Sequence, residues 1–247
     1  MRNLVTFFTC LLCAPVFAQD TVATCEDVTW LDQSYTICEV TADEDLRLFH
    51  ADETGEVMGH FSTINNNLPD DQMLGFAMNA GMYHDDYSPV GLYVEQGDIK
   101  SPLASGGGYG NFGLTPNGVF CINDMLNVIE TDTFRENNLT CDYATQSGPM
   151  LVIDGALHPR LLPDGTSKYI RNGVGTSADG QRAVFAISNE RVNFHDFATL
   201  FRDHLNLPNA LYFDGKVSRL YDSISGRSDF GFSLGVIVGT VKPREGS

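Results

Sequence analysis

The chain is short of positive charge: 15 lysines and arginines stand against 32 aspartates and glutamates, a formal net charge of −17 at pH 7. That imbalance repels polyanions and argues against nucleic acid as a partner. An anionic ligand must therefore be caught by a few placed cations inside a cleft, not by a general field. Cysteine is sparse too, and the sole C-x-x-C, Cys10 to Cys13, falls in the apolar leader, so no pair suited to zinc remains downstream. The G-x-S-x-G elbow of a serine hydrolase is missing. Gly106-Gly107-Gly108-Tyr109-Gly110 lacks the Gly-Lys-Ser/Thr of a nucleotide loop and reads as a mobile or substrate-adjacent loop. Asp85-Asp86 lacks EF-hand spacing, so neither a metal nor another cofactor is called for. No run after the leader approaches the roughly 20 apolar residues that span a bilayer, so no stable membrane anchor is expected.

Arg2, an apolar run from Leu4 to Leu12 and Val16-Phe17-Ala18 before Gln19 make up the three parts of a secretory signal peptide, residues 1–18. Leu11 and Leu12 precede Cys13 where a lipidated cysteine needs a small residue, which removes the lipoprotein alternative. The expected product is a periplasmic or secreted protein beginning at Gln19. Export leaves Cys25, Cys38, Cys121 and Cys141 in a compartment where disulfides persist. Four cysteines allow three connectivities; proximity favours Cys25 with Cys38 and Cys121 with Cys141. The length suits one domain, residues 19–247, with residues 19–60 either part of it or a β appendage.

Alternating apolar residues predict strands over Tyr35–Val40 and Leu46–His50, separated by an acidic turn at Asp43–Asp45. Thr63–Gln72 reads as a connecting loop with room for a helical turn, before a buried strand Leu74–Met78 that delivers Asn79. Val90–Glu95 is a strand, Gln96-Gly97-Asp98 a tight turn, and Pro116-Asn117-Gly118 a hairpin turn into Val119–Ile122. Met125–Asn138 fits a helix or a strand equally. Leu151–Ile153, Ala183–Ser188 and Ala210–Phe213 are short buried strands. Phe194, Phe197, Ala198, Leu200, Phe201 and Leu205 follow helical spacing, with Asn193 as N-cap and Asp196 in the favourable first turn. Strands and a few helices without regular alternation define an α+β fold, built on largely antiparallel or mixed β-sheet in a single domain.

Four motifs in order carry chemistry: Asn79-Ala80-Gly81-Met82 with Pro89-Val90-Gly91 after it, Gln146-Ser147-Gly148-Pro149, Arg171-Asn172-Gly173-Val174-Gly175, and Phe213-Asp214-Gly215. Read alone, each has a plain account. Asp214-Gly215 is a turn, Arg171 a surface ion pair, Asn79 a turn cap, and Gly148-Pro149 a strand entrance. His195-Asp196 invites a catalytic pairing, yet neighbours on a helix point about 100° apart and do not form a base and its orienter.

Together and in this order, from about Leu74 to Val238, the motifs resemble the phosphodiester glycosidase family, which includes the lysosomal uncovering enzyme and bacterial periplasmic proteins. The resemblance implies catalytic roles for Asn79, Arg171 and Asp214, and substrate contacts at Gln146, Ser147, Asn172, Gly215 and Ser218. Its Asp-Gly-Gly-Gly-Ser signature is kept only as Asp214-Gly215, followed here by Lys216-Val217-Ser218-Arg219. The implied activity is hydrolysis of a sugar-1-phosphodiester to free sugar and phosphomonoester, with Arg171 aimed at a cleft to grip the phosphate. The alternatives are a catalytically silent glycan-binding or envelope-assembly protein, and a glycosidase acting on glycans without phosphate.

Overall fold

The computed structural model describes residues 23–105, 107 and 110–244. The expected signal peptide therefore lies outside the described residues, as do Gly106, Gly108 and Tyr109 of the glycine-rich loop.

Three antiparallel sheets share one core. The largest has seven strands in the order Thr24–Trp30, Gln33–Thr41, Arg182–Ser188, Asn172–Thr176, Asn209–Asp214, Met150–Ile153 and Ala156–Leu157. A five-stranded sheet runs Arg227–Ser228, Leu220–Asp222, Gln72–Asn79, Ile237–Pro243 and Leu46–Phe49. The other five-stranded sheet runs Asp98–Ser101, Tyr93–Glu95, Tyr143–Ser147, Gly118–Ile122 and Leu126–Glu130. Residues 24–49 contribute strands to two of these sheets, so the N-terminal segment is built into the body and is not an appendage.

Alternation along Ala183–Ser188 explains how the layers meet. Phe185 and Ile187 face the other two sheets, and the Phe185 ring lies 4.9 Å from Phe76 and 5.6 Å from Phe120, one ring from each. Val184 and Ala186 face the opposite way, under the helix Phe194–Thr199 and the π-helical turn Leu200–His204 that continues it. The Asn193 side chain accepts from Asp196 N at 2.7 Å and so caps that helix, as its sequence suggests. Gly175 lets the helical layer come close, because a Cβ there would lie 2.8 Å from both Phe201 and Leu207.

Three segments depart from expectation. Met125–Asn138 is both alternatives in turn, the strand Leu126–Glu130 and then the helix Thr131–Glu136. Phe61–Asn67 is an α-helix of seven residues that overlaps the start of the expected connection. Pro116-Asn117 does not turn a hairpin: a 3-10 turn at Asn111–Gly113 precedes it, so the chain enters Gly118–Ile122 from a loop, not from a paired strand.

The favoured connectivity of the cysteines is present, Cys25 with Cys38 and Cys121 with Cys141. Cys25 and Cys38 are directly opposed in the register of the first hairpin, so the bond clips the outermost strand to the seven-stranded sheet. Replacing both with serine should lower the unfolding free energy by about 3 kcal/mol, the loop-closure entropy of a segment this short. Urea denaturation of the oxidised wild type against the double variant measures it.

Candidate active site

Strands from two sheets end side by side. Asn79 closes Gln72–Asn79, Asn172 opens Asn172–Thr176 and Asp214 closes Asn209–Asp214. Asn79 and Asn172 are fully buried and paired. Asn172 Nδ2 donates to Asn79 O at 2.7 Å and to its Oδ1 at 3.2 Å, and Asn79 Nδ2 lies 3.3 Å from Asn172 Oδ1. A carboxamide has both donors and acceptors, so each residue has capacity left for the 214–219 loop. Asn172 Oδ1 accepts from Asp214 N at 3.1 Å, and Asn79 Oδ1 accepts from Arg219 N at 2.9 Å. The loop is thus held at both ends. Ser218 Oγ secures its middle, 2.9 Å from Asp214 O, 3.0 Å from Ile170 O and 3.2 Å from Asn172 Oδ1.

Asp214 is half-buried at the head of this loop. Its Oδ1 accepts from Gly215 N at 2.5 Å and Lys216 N at 3.0 Å. Burial pushes its pKa above the ordinary aspartate value, against the opposing pull of those two amides and the Lys216 charge. Gly215 has a steric reason to be glycine, since a Cβ would lie 2.2 Å from Tyr212 Oη. Tyr83 completes the surroundings. It donates to Ser233 O at 3.1 Å, and burial and then the Asp214 charge raise its pKa while the Arg219 charge opposes them, so its hydroxyl lies within electrostatic reach of both.

Arg171 does not open onto a cleft. It is 0% exposed, with Nε on Val192 O at 3.0 Å, Nη2 on Ser167 O at 2.8 Å, Nη1 on Tyr212 Oη at 3.3 Å, and its guanidinium 3.5 Å from the centre of the Phe194 ring. Strand alternation is the reason: Asn172 turns toward Asn79, so its neighbour Arg171 turns to the opposite face, under the helix. Burial pulls the pKa of Arg171 below its usual value, and the Tyr212 hydroxyl counters this. That same hydroxyl abuts Gly215, so Arg171 braces the Asp214 turn from beneath.

Gln146 and Ser147 are likewise interior. Gln146 Oε1 accepts from Leu92 N and Ala104 N at 3.0 and 2.9 Å and its Nε2 donates to Ala104 O at 3.0 Å; Ser147 Oγ donates to Phe213 O at 3.1 Å. Gln146 pins the segments flanking its own sheet and Ser147 ties that sheet to the seven-stranded one, where a substrate contact was expected. His195 Nδ1 comes within 3.5 Å of Asp196 Oδ1 but is buried without a hydrogen bond, so no base and orienter pair forms.

The residue that sequence reasoning missed is Arg219. It is only 7% exposed, and its guanidinium has no hydrogen bond or ion pair among the described residues. It lines a cleft of about 570 Å³ together with Lys216, Ser218, Arg227, Asp229, Phe230 and Phe232. Its only signal in the sequence was its place in the stretch that replaces the glycine run after Asp214.

Asp214 is a half-buried carboxylate at a strand end, and the Lys216, Ser218 and Arg219 that follow it in the chain line a cleft rich in cations. The chain belongs to the phosphodiester glycosidase family, whose model matches residues 73–224, a span that contains Asn79, Asn172, Asp214 and Arg219. It is 36% identical over 222 residues to the uncharacterized protein YigE of Escherichia coli K12, covering 89% of this chain and 85% of that one. Its fold matches the catalytic domain of zebrafish N-acetylglucosamine-1-phosphodiester alpha-N-acetylglucosaminidase, auto-inhibited by its pro-peptide. The TM-score is 0.59 at 14% identity, over 88% of this chain and 81% of that one, which shows a shared fold.

The raised pKa of Asp214 makes a stability prediction with a definite sign. A carboxyl group with a raised folded-state pKa favours folding below its ordinary value, here 3.8, and loses that contribution as the pH rises through the folded-state value. Asp214→Asn keeps an acceptor for both amides and has no charge to bury. Its melting temperature should equal or exceed that of wild type at pH 8, with the gain shrinking as the pH falls toward 3.8, measured by thermal melts across that range.

Proposed function

We propose that this protein is a periplasmic or secreted glycosidase that hydrolyses a sugar-1-phosphodiester to free sugar and phosphomonoester. The observation that carries the reading is Asp214, in a family of phosphodiester glycosidases, held half-buried by a network of buried amides at the head of the loop whose Lys216, Ser218 and Arg219 line a cationic cleft. Export is supported by the leader pattern, by two disulfides and by the lack, among the described residues, of a helix long and apolar enough to cross a membrane.

The bond that breaks joins the anomeric carbon to the phosphate oxygen, and the bond that forms joins that carbon to a water oxygen. A phosphomonoester leaves readily, so the protein has little need to protonate it. What remains is to stabilise positive charge developing on the sugar ring and to supply water to the carbon. Asp214 does this as a carboxylate facing the ring, and its burial-raised pKa keeps it a more capable base than an exposed aspartate. Asn79 and Asn172 fix the backbone that presents Asp214. Arg171 acts one step further back, through Tyr212, as a positioning residue.

Asp214→Asn should lower kcat on sugar-1-phosphodiesters by roughly 10²–10⁴, the usual loss of a positioned acid-base group, while the KM changes little. Product analysis of sugar and phosphomonoester release gives the rates. Turnover unchanged in the variant would refute the assignment, and a wild type inert on every sugar phosphodiester tried would point to a glycan-binding protein that kept the fold.

A further inference from the structure

In a chain with a formal net charge of −17, the cleft beside Asp214 has the opposite character. Its lining contains three cations, Lys216, Arg219 and Arg227, against one carboxylate, Asp229. Asp229 is already committed: its oxygens accept from Arg227 Nε at 3.1 Å and Nη2 at 3.0 Å, and one also accepts from Leu220 N at 3.0 Å. Arg227 is committed in turn, with Nη1 on Thr36 Oγ1 at 3.0 Å and Asn189 Oδ1 at 3.1 Å. Arg219 is left over. It is more than nine-tenths buried and lines the cleft, and its guanidinium makes no hydrogen bond or ion pair among the described residues.

Most of the Arg219 side chain is withdrawn from water, and burial lowers its pKa while the Tyr83 and Asp229 charges oppose the shift. Gly231 lies beside the head group, where a Cβ would come 2.7 Å from Nη2. That loop also contains Phe230 and Phe232, which are 96% and 83% exposed and form part of the cleft wall. Two large apolar side chains held in water two residues apart, next to an unpaired cation, are matched by a ligand with an anionic head and an apolar tail.

We propose that this cleft binds a phosphate ester whose alcohol is apolar, with Arg219 as the principal donor to the phosphate, Lys216 as a second cation, and Phe230 and Phe232 covering the apolar group. This deepens the glycosidase reading and rests on it: the leaving phosphomonoester would be an alkyl or aryl phosphate, and the phosphate grip falls to Arg219 while Arg171 stays in the interior.

Binding tests the proposal without requiring turnover. Calorimetric titration of the mature protein should show hexyl phosphate binding about ten-fold tighter than glycerol 3-phosphate, as expected for two methylenes' worth of burial. Arg219→Gln should weaken both by roughly 10- to 100-fold. Arg219→Lys, which keeps the charge, should lose less. Phe230→Ser with Phe232→Ser should erase the preference for hexyl phosphate and leave glycerol 3-phosphate unchanged. Unaltered binding in Arg219→Gln with a wild-type melting temperature, hexyl phosphate no tighter than glycerol 3-phosphate, or no binding of either would overturn the proposal. Tight binding of hexyl phosphate by a protein that turns over no sugar phosphodiester would strike down the glycosidase reading and leave this site standing.

Discussion

The buried pair of amides, Asn79 and Asn172, is the interaction on which the site depends. They come from different sheets, and between them they fix where one sheet ends against another and where the 214–219 loop begins and returns. Neither amide is accessible to water, so loss of one partner would leave a buried donor and acceptor unsatisfied, a cost of about 1–3 kcal/mol per group. Apolar packing alone would not serve here, because hydrophobic contact has no direction and tolerates slippage, whereas paired amides specify register. A strand end offers backbone groups with no ladder partner, and this is where the amides do their bonding.

Below that pair the protein devotes a cation to rigidity. Arg171 is sandwiched among carbonyls and aromatic rings, and its hydroxyl partner Tyr212 presses on Gly215. The turn that displays Asp214 is therefore clamped from both sides, by amides on one face of the sheet and by a buried guanidinium on the other. Asp214 is kept partly out of water at a cost to its ionised form, and the surrounding hydrogen bonds hold it there.

Much of this was legible in the sequence, for local reasons. Asp214 and Asn79 each follow a short apolar run, and a polar residue at the end of such a run lies at a strand terminus. The cap at Asn193 and the disulfide across the first hairpin were equally local. What was lost depended on orientation and on long-range contact. Arg171 and Asn172 are adjacent, and the sequence does not say which of them faces the helix; the cleft-facing reading of Arg171 was the wrong half of that alternation. Gln146 and Ser147 were read as substrate contacts, but whether their polar groups turn outward or to Ala104 and Phe213 depends on segments that lie 42 and 66 residues away. Arg219 was hidden for the same reason, since its place in the lining of a cleft depends on segments distant in the sequence.

The central claim, that water attacks the anomeric carbon of a sugar phosphodiester, is tested most directly by hydrolysis in water enriched in oxygen-18, with mass spectrometry of both products. Attack at carbon predicts that the label enters the sugar hydroxyl and that the phosphomonoester stays unlabelled. Label in the phosphate would mean that the phosphorus–oxygen bond is the one cleaved, and would contradict the account.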